Sequence, residues 1–360
     1  MEEKLPKKKL KPGVKIVLIL AIVIILIIAL FIFLLGPVNV TNNKKIDVEI
    51  SSGTSTNQVA EILKDKKLIR SELVFKIYTK LIANKSIKAG YYQFSQSMSM
   101  GKIVDDLHEG SDYNPNLVVL TFKEGERVTD YAKVISKNTN HTYEEVINKI
   151  NDKTYLNELI GKYWFLTDSI LDKDIYYPLE GYLAPNTYHF KNKDVEIETI
   201  ISKLLDQEEK ELDKYNSSLN NDNIHKTITM ASVVELEGTN SESKKMITGV
   251  FYNRIKNGYN MGSDVTTYYA LQKPMTENLT SQEFMTVNPY NTRTNEMISK
   301  LPVGPICNPS DESIDAVINY TDNEYLFFVA DKNGKIYYSK TMKEHEVYIK
   351  KIKDEGNWIW

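Results

Sequence analysis

Thr227-Ile228-Thr229-Met230-Ala231-Ser232-Val233-Val234-Glu235-Leu236-Glu237-Gly238 reads as the end of a buried helix. Met230, Val233 and Val234 recur at i, i+3 and i+4, the spacing of one helix face. Glu237 stands seven positions after Met230 and continues that stripe. Glu235 lies two residues earlier, about 200° away at 3.6 residues per turn. One acid is therefore expected to point inward and the other outward. Gly238 supplies a helix stop, and Thr239 with Glu242 has the form of a capping box opening the next helix. A carboxyl on an apolar face loses hydration, so its pKa rises and it can stay protonated near neutral pH, as a general acid must. The competing reading of the same spacing is a structural helix-end glutamate paired with a lysine or arginine.

Working outward, the 360 residues suffice for a membrane anchor and two domains. Met1–Lys15 carries six lysines against Glu2 and Glu3, and Ile16–Leu35 follows with no charged or polar residue. Twenty apolar residues match the hydrocarbon thickness of a bilayer. A cleaved signal peptide would have an apolar core of about 7–15 residues and a small-residue cleavage site, whereas this run leads into Gly36-Pro37-Val38-Asn39. An uncleaved span over 16–36 is expected, with the lysines holding the N-terminus in the cytoplasm and the rest of the chain outside. With −3 on the whole chain and four net positive charges in the leader, the remainder stands at −7, which argues against a nucleic-acid partner. Cys307 is the only cysteine, so an internal disulfide is excluded. The five histidines show no metal-ligand spacing, and no metal or other cofactor is expected.

A polar linker over 37–44 leads to a unit of about seventy residues, expected over 45–112. Within it Ile46–Ile50 reads as a strand, Gln58–Lys64 and Glu72–Leu81 as helices, Gly90–Phe94 as a second strand and Ile103–Leu107 as a helix. A larger domain then runs over 113–360. Leu117–Phe122 is a strand there, Gly125–Thr129 a turn, and Tyr131–Ser136 and Tyr143–Ile150 are helical. Tyr176–Phe190 is rich in aromatics, Pro and Gly, irregular for a core element and apolar for a solvated loop, which suggests a groove wall. Val195–Leu212 is an amphipathic helix with its acids outside, and Ser241–Asn257 is a helix stopped by Gly258. Asn260–Thr267 and Asn288–Pro309 read as loops, and Tyr325–Ala330 and Lys335–Ser339 as the strands of a hairpin. The fold class is α+β.

Four loop-rich pieces accompany Glu237: Glu180–Tyr188, Asn253-Arg254, Gly262-Ser263-Asp264 and Pro289-Tyr290-Asn291-Thr292. Amide, hydroxyl and aromatic groups of this kind bind sugars, by ring stacking and by reading hydroxyls. Each piece has a plainer reading too: Asn253 and Arg254 as surface pairs, Asp264 as a turn residue, Tyr290 and Asn291 as loop braces, Tyr188 as core.

At these residues the chain resembles a known family, the YceG-like (MltG) endolytic murein transglycosylases. The resemblance rests on Met230–Glu237, Val250-Phe251-Tyr252-Asn253-Arg254, Glu180–Tyr188, Pro289–Thr292, Leu301-Pro302-Val303-Gly304-Pro305-Ile306 and Tyr325–Ala330, and covers the chain from about Ile46 onward. It implies a LysM-like domain before the catalytic one and assigns catalysis to the second acid of the Glu-x-Glu pair, here Glu237. Tyr188, Asn253, Arg254, Asp264, Tyr290 and Asn291 are then candidate substrate-binding residues. Ala184-Pro185-Asn186 stands where the family has Phe-Pro-Asp, Ser263-Asp264-Val265 where it has Thr-Asp-Pro, and Arg293 where an aromatic is common. The implied reaction cleaves the bond between N-acetylmuramic acid and N-acetylglucosamine and leaves a 1,6-anhydro end. Peptidoglycan strands are the implied partner, together with the membrane and with wall-synthesis proteins. Two rivals stay open: a peptidoglycan hydrolase with Asp264 as second carboxylate, and a non-catalytic membrane-anchored peptidoglycan-binding scaffold.

Overall fold

A computed structural model of the protein describes residues 12–83 and 86–358. The basic leader as far as Lys11 lies outside the described residues. The chain divides into two compact units, Met1–Asn116 and Leu117–Trp360.

In the first unit, α1 (Pro12–Leu35) precedes β1 (Lys45–Ile50), α2 (Thr56–Asp65), α3 (Glu72–Tyr78), β2 (Gly90–Ser95) and α4 (Met100–Glu109). The two strands pair antiparallel, from Lys45 opposite Ser95 to Ile50 opposite Gly90. Their alternation turns Val48, Ile50, Tyr92 and Phe94 inward, while Gln93 bonds Asp47 on the solvent side at 3.1 Å. Ser55, Ser71 and Ser99 cap α2, α3 and α4, each accepting a bond from a first-turn N–H. Val59, Leu63, Phe75, Ile103, Val104 and Leu107 complete this unit's core. Phe31, Leu34 and Leu35 at the end of α1 pack against it, and the Arg70 guanidinium sits 4.0 Å from the Phe33 ring. From Gly13 to Leu30 the helix is exposed and, apart from Lys15, apolar, and it is long enough and apolar enough to cross a membrane.

The second unit runs β3 (Val118–Thr121), α5 (Val128–Asn138), α6 (Tyr143–Ile150), α7 (Lys153–Lys162), β4 (Thr187–Phe190), α8 (Ile197–Leu212), α9 (Ile224–Glu237), α10 (Ser241–Lys256), α11 (Asp264–Ala270), α12 (Ser281–Phe284), α13 (Asp311–Ile318), β5 (Phe327–Ala330), β6 (Ile336–Ser339) and α14 (Met342–Asp354). The strands form two antiparallel pairs, β3 with β4 and β5 with β6, and α14 packs on the second pair. The mixture of helices and small antiparallel sheets is an α+β architecture.

Several readings of the sequence change here. Tyr176–Phe190 is not a groove wall. Leu179, Glu180, Tyr182, Leu183 and Ala184 are buried, and 187–190 is the strand β4. An irregular segment survives burial only if its backbone is satisfied. The Asn308 side chain does this, its Oδ1 accepting from the N–H groups of Gly181 and Leu183 at 3.0 and 3.1 Å. Gly181 has φ +87°, and a Cβ there would fall 2.4 Å from Pro305. Secondly, the expected loop at 260–267 becomes helical from Asp264, where α11 begins. Thirdly, the helix after Gly238 opens at Asn240, which exchanges bonds with Ser243, rather than through a Thr239–Glu242 box.

Beyond its first turn, where Lys226 is exposed, the helix α9 is buried all round from Thr227 to Val234 without a break, and it meets solvent again only in its last turn. α10, α11 and α13 all pack against it. Its hydroxyls serve the backbone, with Thr229 Oγ1 donating to the His225 carbonyl and Ser232 Oγ to that of Thr229. Because the surroundings are closed on several sides, the expectation that Glu235 points outward fails. Glu235 faces α13 and the start of α10, with only 10 % of its side chain exposed.

Candidate active site

The last turn of α9 carries two carboxyls in opposite electrostatic surroundings. Oε2 of Glu235 accepts from the Ser310 N–H at 2.9 Å, Ser310 Oγ at 2.6 Å, Ser313 Oγ at 2.5 Å and the Lys244 ammonium at 3.2 Å. Burial pushes this carboxyl up, but the Ser310 and Ser313 donors and the Lys244 charge outweigh it, so its pKa lies below the ordinary glutamate value. Glu235 is thus an ionised structural acid, the helix-end pair that the spacing of the sequence also allowed.

Among the described residues the Glu237 side chain has one hydrogen-bond partner, Ser263, whose Oγ donates to Oε1 at 2.6 Å. It is half-buried at the mouth of the helix. Burial pushes its carboxyl up to about 7; Asp264 adds to the rise, while Ser263 and Arg293 work against it. The two acids sit two residues apart, one ionised and one poised to hold or release a proton near neutral pH. Such a divergence marks an acid–base site.

Two loops form the floor beside Glu237. Gly262 N–H donates to the Thr292 carbonyl at 3.0 Å and Ser263 N–H to Thr292 Oγ1 at 3.1 Å, locking 262–263 to 289–292. Asp264, at the start of α11, is ion-paired with Arg293, which also donates to the Gly262 carbonyl at 3.2 Å and lies 4.7 Å from the Phe284 ring. Both members of this pair are open to solvent.

The other candidates are placed as supports. Asn291 is fully buried, its amide accepting from Thr267 Oγ1 at 2.7 Å and donating to the Phe284 and Thr286 carbonyls. Tyr290 is fully buried between the rings of Tyr176 and Tyr269. Arg254 donates to the Asn260 and Leu326 carbonyls at 2.8 and 3.0 Å, and Asn253 to those of Asn323 and Tyr325 at 2.7 and 3.1 Å. Arg254 ties the loop that delivers Ser263 to the segment entering β5, and Asn253 holds residues 323–325 of that segment to α10. Tyr188 lies in the core, 5 % exposed, with its hydroxyl on the Ala184 carbonyl at 2.8 Å. The structure therefore gathers Glu237, Ser263, Asp264 and Arg293 at one place, braced from behind by Asn253, Arg254, Tyr290 and Asn291. In the sequence Ser263 stood only as part of the Gly262–Asp264 piece and Arg293 only as a departure from the family pattern. A serine bond to a helix-end acid across 26 residues has no local signature.

A second buried acid lies in the core. Glu180 is 1 % exposed and accepts from Val128 N–H at 2.9 Å and Tyr269 OH at 3.1 Å; burial raises its carboxyl to about 8. It joins α5 to α11 and is closed to solvent.

Comparison with known proteins places the chain in a family. Residues 48–351 match the model of the YceG-like family. The endolytic murein transglycosylase of Bacillus subtilis (strain 168) is 33 % identical over 315 residues, which are 87 % of this chain and 86 % of that protein. The protein of the same name from Streptococcus pneumoniae serotype 2 (strain D39) is 31 % identical over 328 residues, 86 % of this chain but 59 % of its own greater length. The crystal structure of a YceG-like protein from Listeria monocytogenes superposes with a TM-score of 0.60 at 35 % identity, covering 85 % of this chain and 99 % of that one. With the family pattern matched from the first strand to the last helix, the chain belongs to the YceG-like family.

Proposed function

We propose that the protein is a membrane-anchored endolytic murein transglycosylase, with Glu237 as its acid and then its base. The observation that carries the reading is the last turn of α9: one ionised acid buried among donors, and beside it one acid with a single hydroxyl partner and a pKa near neutrality. Protonated Glu237 donates to the glycosidic oxygen between N-acetylmuramic acid and N-acetylglucosamine. The same carboxylate then takes the proton of the muramic 6-hydroxyl as that oxygen attacks its own anomeric carbon, leaving a 1,6-anhydro end. One acid–base group suffices, unlike the paired carboxylates of ordinary glycosidases. The hydrolase alternative draws on Asp264, which lies beside Glu237 but is already ion-paired with Arg293. Mass spectrometry of peptidoglycan digested by the purified protein separates the two. Anhydro ends are expected, and reducing ends in their place would refute the transglycosylase.

Three finer points belong to the same reading. The strand–helix–helix–strand order of β1, α2, α3 and β2, with its antiparallel pair, supports a LysM-like glycan-binding unit over 45–112. The exposed apolar face of α1 and the lysines before it support a single span with the N-terminus in the cytoplasm and the second unit outside. An enzyme cutting nascent strands beside the membrane would meet wall-synthesis proteins. Tyr188, Asn253, Arg254, Tyr290 and Asn291 act as the frame of the sugar site, with Asp264 at its edge.

A further inference from the structure

Ser263 is 3 % exposed and its hydroxyl reaches Glu237 Oε1 at 2.6 Å. It has little freedom to do anything else. Its N–H is spent on Thr292 Oγ1 at 3.1 Å, and its carbonyl accepts from Thr266 Oγ1 at 2.6 Å. The hydroxyls of Thr266 and Thr292, both fully buried, lie 2.8 Å apart, and Thr292 N–H donates to Thr266 Oγ1 at 3.1 Å. A chain of buried hydroxyls thus clamps the Ser263 backbone and aims its single O–H at one carboxyl oxygen. We propose that Ser263 is a positioning residue that divides the work of the two Glu237 oxygens, holding Oε1 as a permanent acceptor so that Oε2 alone carries the travelling proton.

The chemistry follows from the donor count. A serine hydroxyl has one hydrogen, so the oxygen it bonds is the unprotonated one in the acid form. Oε2 then releases its proton to the glycosidic oxygen as the bond from that oxygen to the anomeric carbon breaks, the electron pair leaving with the oxygen. Oε2 recovers a proton from the muramic 6-hydroxyl as the new carbon–oxygen bond closes the anhydro ring. Ser263 keeps its bond to Oε1 in both halves, so the carboxyl need not rotate between them. The hydroxyl also favours the carboxylate, against burial and Asp264; Arg293 acts in the same sense as Ser263, and Glu235 on the same helix is turned to Lys244.

This inference rests on Glu237 being the acid, and the test keeps the two apart. The full chain in detergent micelles is assayed for anhydro-end release from isolated peptidoglycan across about pH 5–9. In Ser263→Ala, kcat should fall roughly ten- to a hundredfold, as for loss of a hydrogen bond to a charged group. KM should stay unchanged, and the alkaline limb of kcat/KM should move to higher pH. Ser263→Cys, which fills the space with a weak donor, should move both readouts the same way by less, and it serves if the alanine variant does not fold. Ser263→Thr keeps the hydroxyl and should restore rate and limb together. An unmoved alkaline limb in the alanine and cysteine variants, or a loss confined to KM, overturns the assignment, since a structural serine would change only the folded fraction. A Glu237→Gln protein that still released anhydro ends would instead overturn the assignment of Glu237 as the acid, on which this inference rests.

Discussion

Glu237 and Glu235 differ by two positions in sequence and by the whole of their surroundings. Glu237→Gln keeps the acceptor that Ser263 bonds and removes only the proton, so anhydro-end release should fall at least 10²–10⁴-fold, about the worth of a positioned acid–base group. The same change should stabilise the fold in mild alkali. An acid whose pKa rises to about 7 on folding, from 4.5, withdraws stability as pH climbs through that interval, because the unfolded chain ionises first. At pH 8 the glutamine variant should therefore be more stable by about 1–3 kcal/mol and near wild type at pH 4, read by denaturant titration at the two values. Glu235 carries the opposite sign. Its depressed pKa contributes stability that is present above the unfolded value and lost as pH falls through the folded one. Glu235→Gln leaves Lys244 buried and uncompensated and should cost about 3 kcal/mol at neutral pH, while activity per folded molecule is largely kept. If Glu235→Gln were fully folded and dead and Glu237→Gln active, the two roles would have to be exchanged. Helical phase singled out Glu237 as the candidate acid; the salt-bridged fate of Glu235 was not legible in it, because Ser310, Ser313 and Lys244 come from other elements.

At the scale of elements, the irregular stretch at 180–183 depends on one side chain. Asn308→Ala would strand the buried N–H groups of Gly181 and Leu183, and each such group costs about 1–3 kcal/mol. A loss of about 2–5 kcal/mol is expected by chemical denaturation, and a change below about 0.5 kcal/mol would show that the loop is held by packing alone. The strands other than β4, together with α2 and α6, follow from alternation, periodicity and caps, and appear near their expected places. The strand β4 was hidden because Tyr188 and Phe190 read as part of an aromatic, Pro- and Gly-bearing run, and only pairing with Val118 and Leu120 makes it a strand. The start of α11 was hidden for a related reason: a helix of seven residues has little periodicity of its own and is ordered by the clamp of Thr266 on Thr292.

At the scale of the whole molecule, the expectations are topological. Protease added outside intact protoplasts should digest the chain beyond about residue 40, as an N-in single span requires. Protection of that portion would reverse the orientation. A fragment of residues 45–112 should be retained on insoluble peptidoglycan without cutting it, and absence of retention would remove glycan binding from this unit. Its strands and capped helices enclose an apolar core of their own, which makes independent folding a fair expectation for the fragment.

Composition and order along the chain determined the anchor, the α+β class, the absence of internal disulfides and the choice of Glu237. Each rests on local quantities: a charge-free run of the right length, alternation and 3.6-residue periodicity, one cysteine, one helical phase. Tertiary structure alone decided that Tyr188, Tyr290 and Asn291 face the core, that Arg254 ties a loop to the segment entering β5 while Asn253 holds that segment to α10, and that Ser263, Asp264 and Arg293 stand around the acid. The physical reason is that these roles are set by hydrogen bonds and ion pairs spanning some 25 to 75 residues, for which no spacing along the chain is a signal.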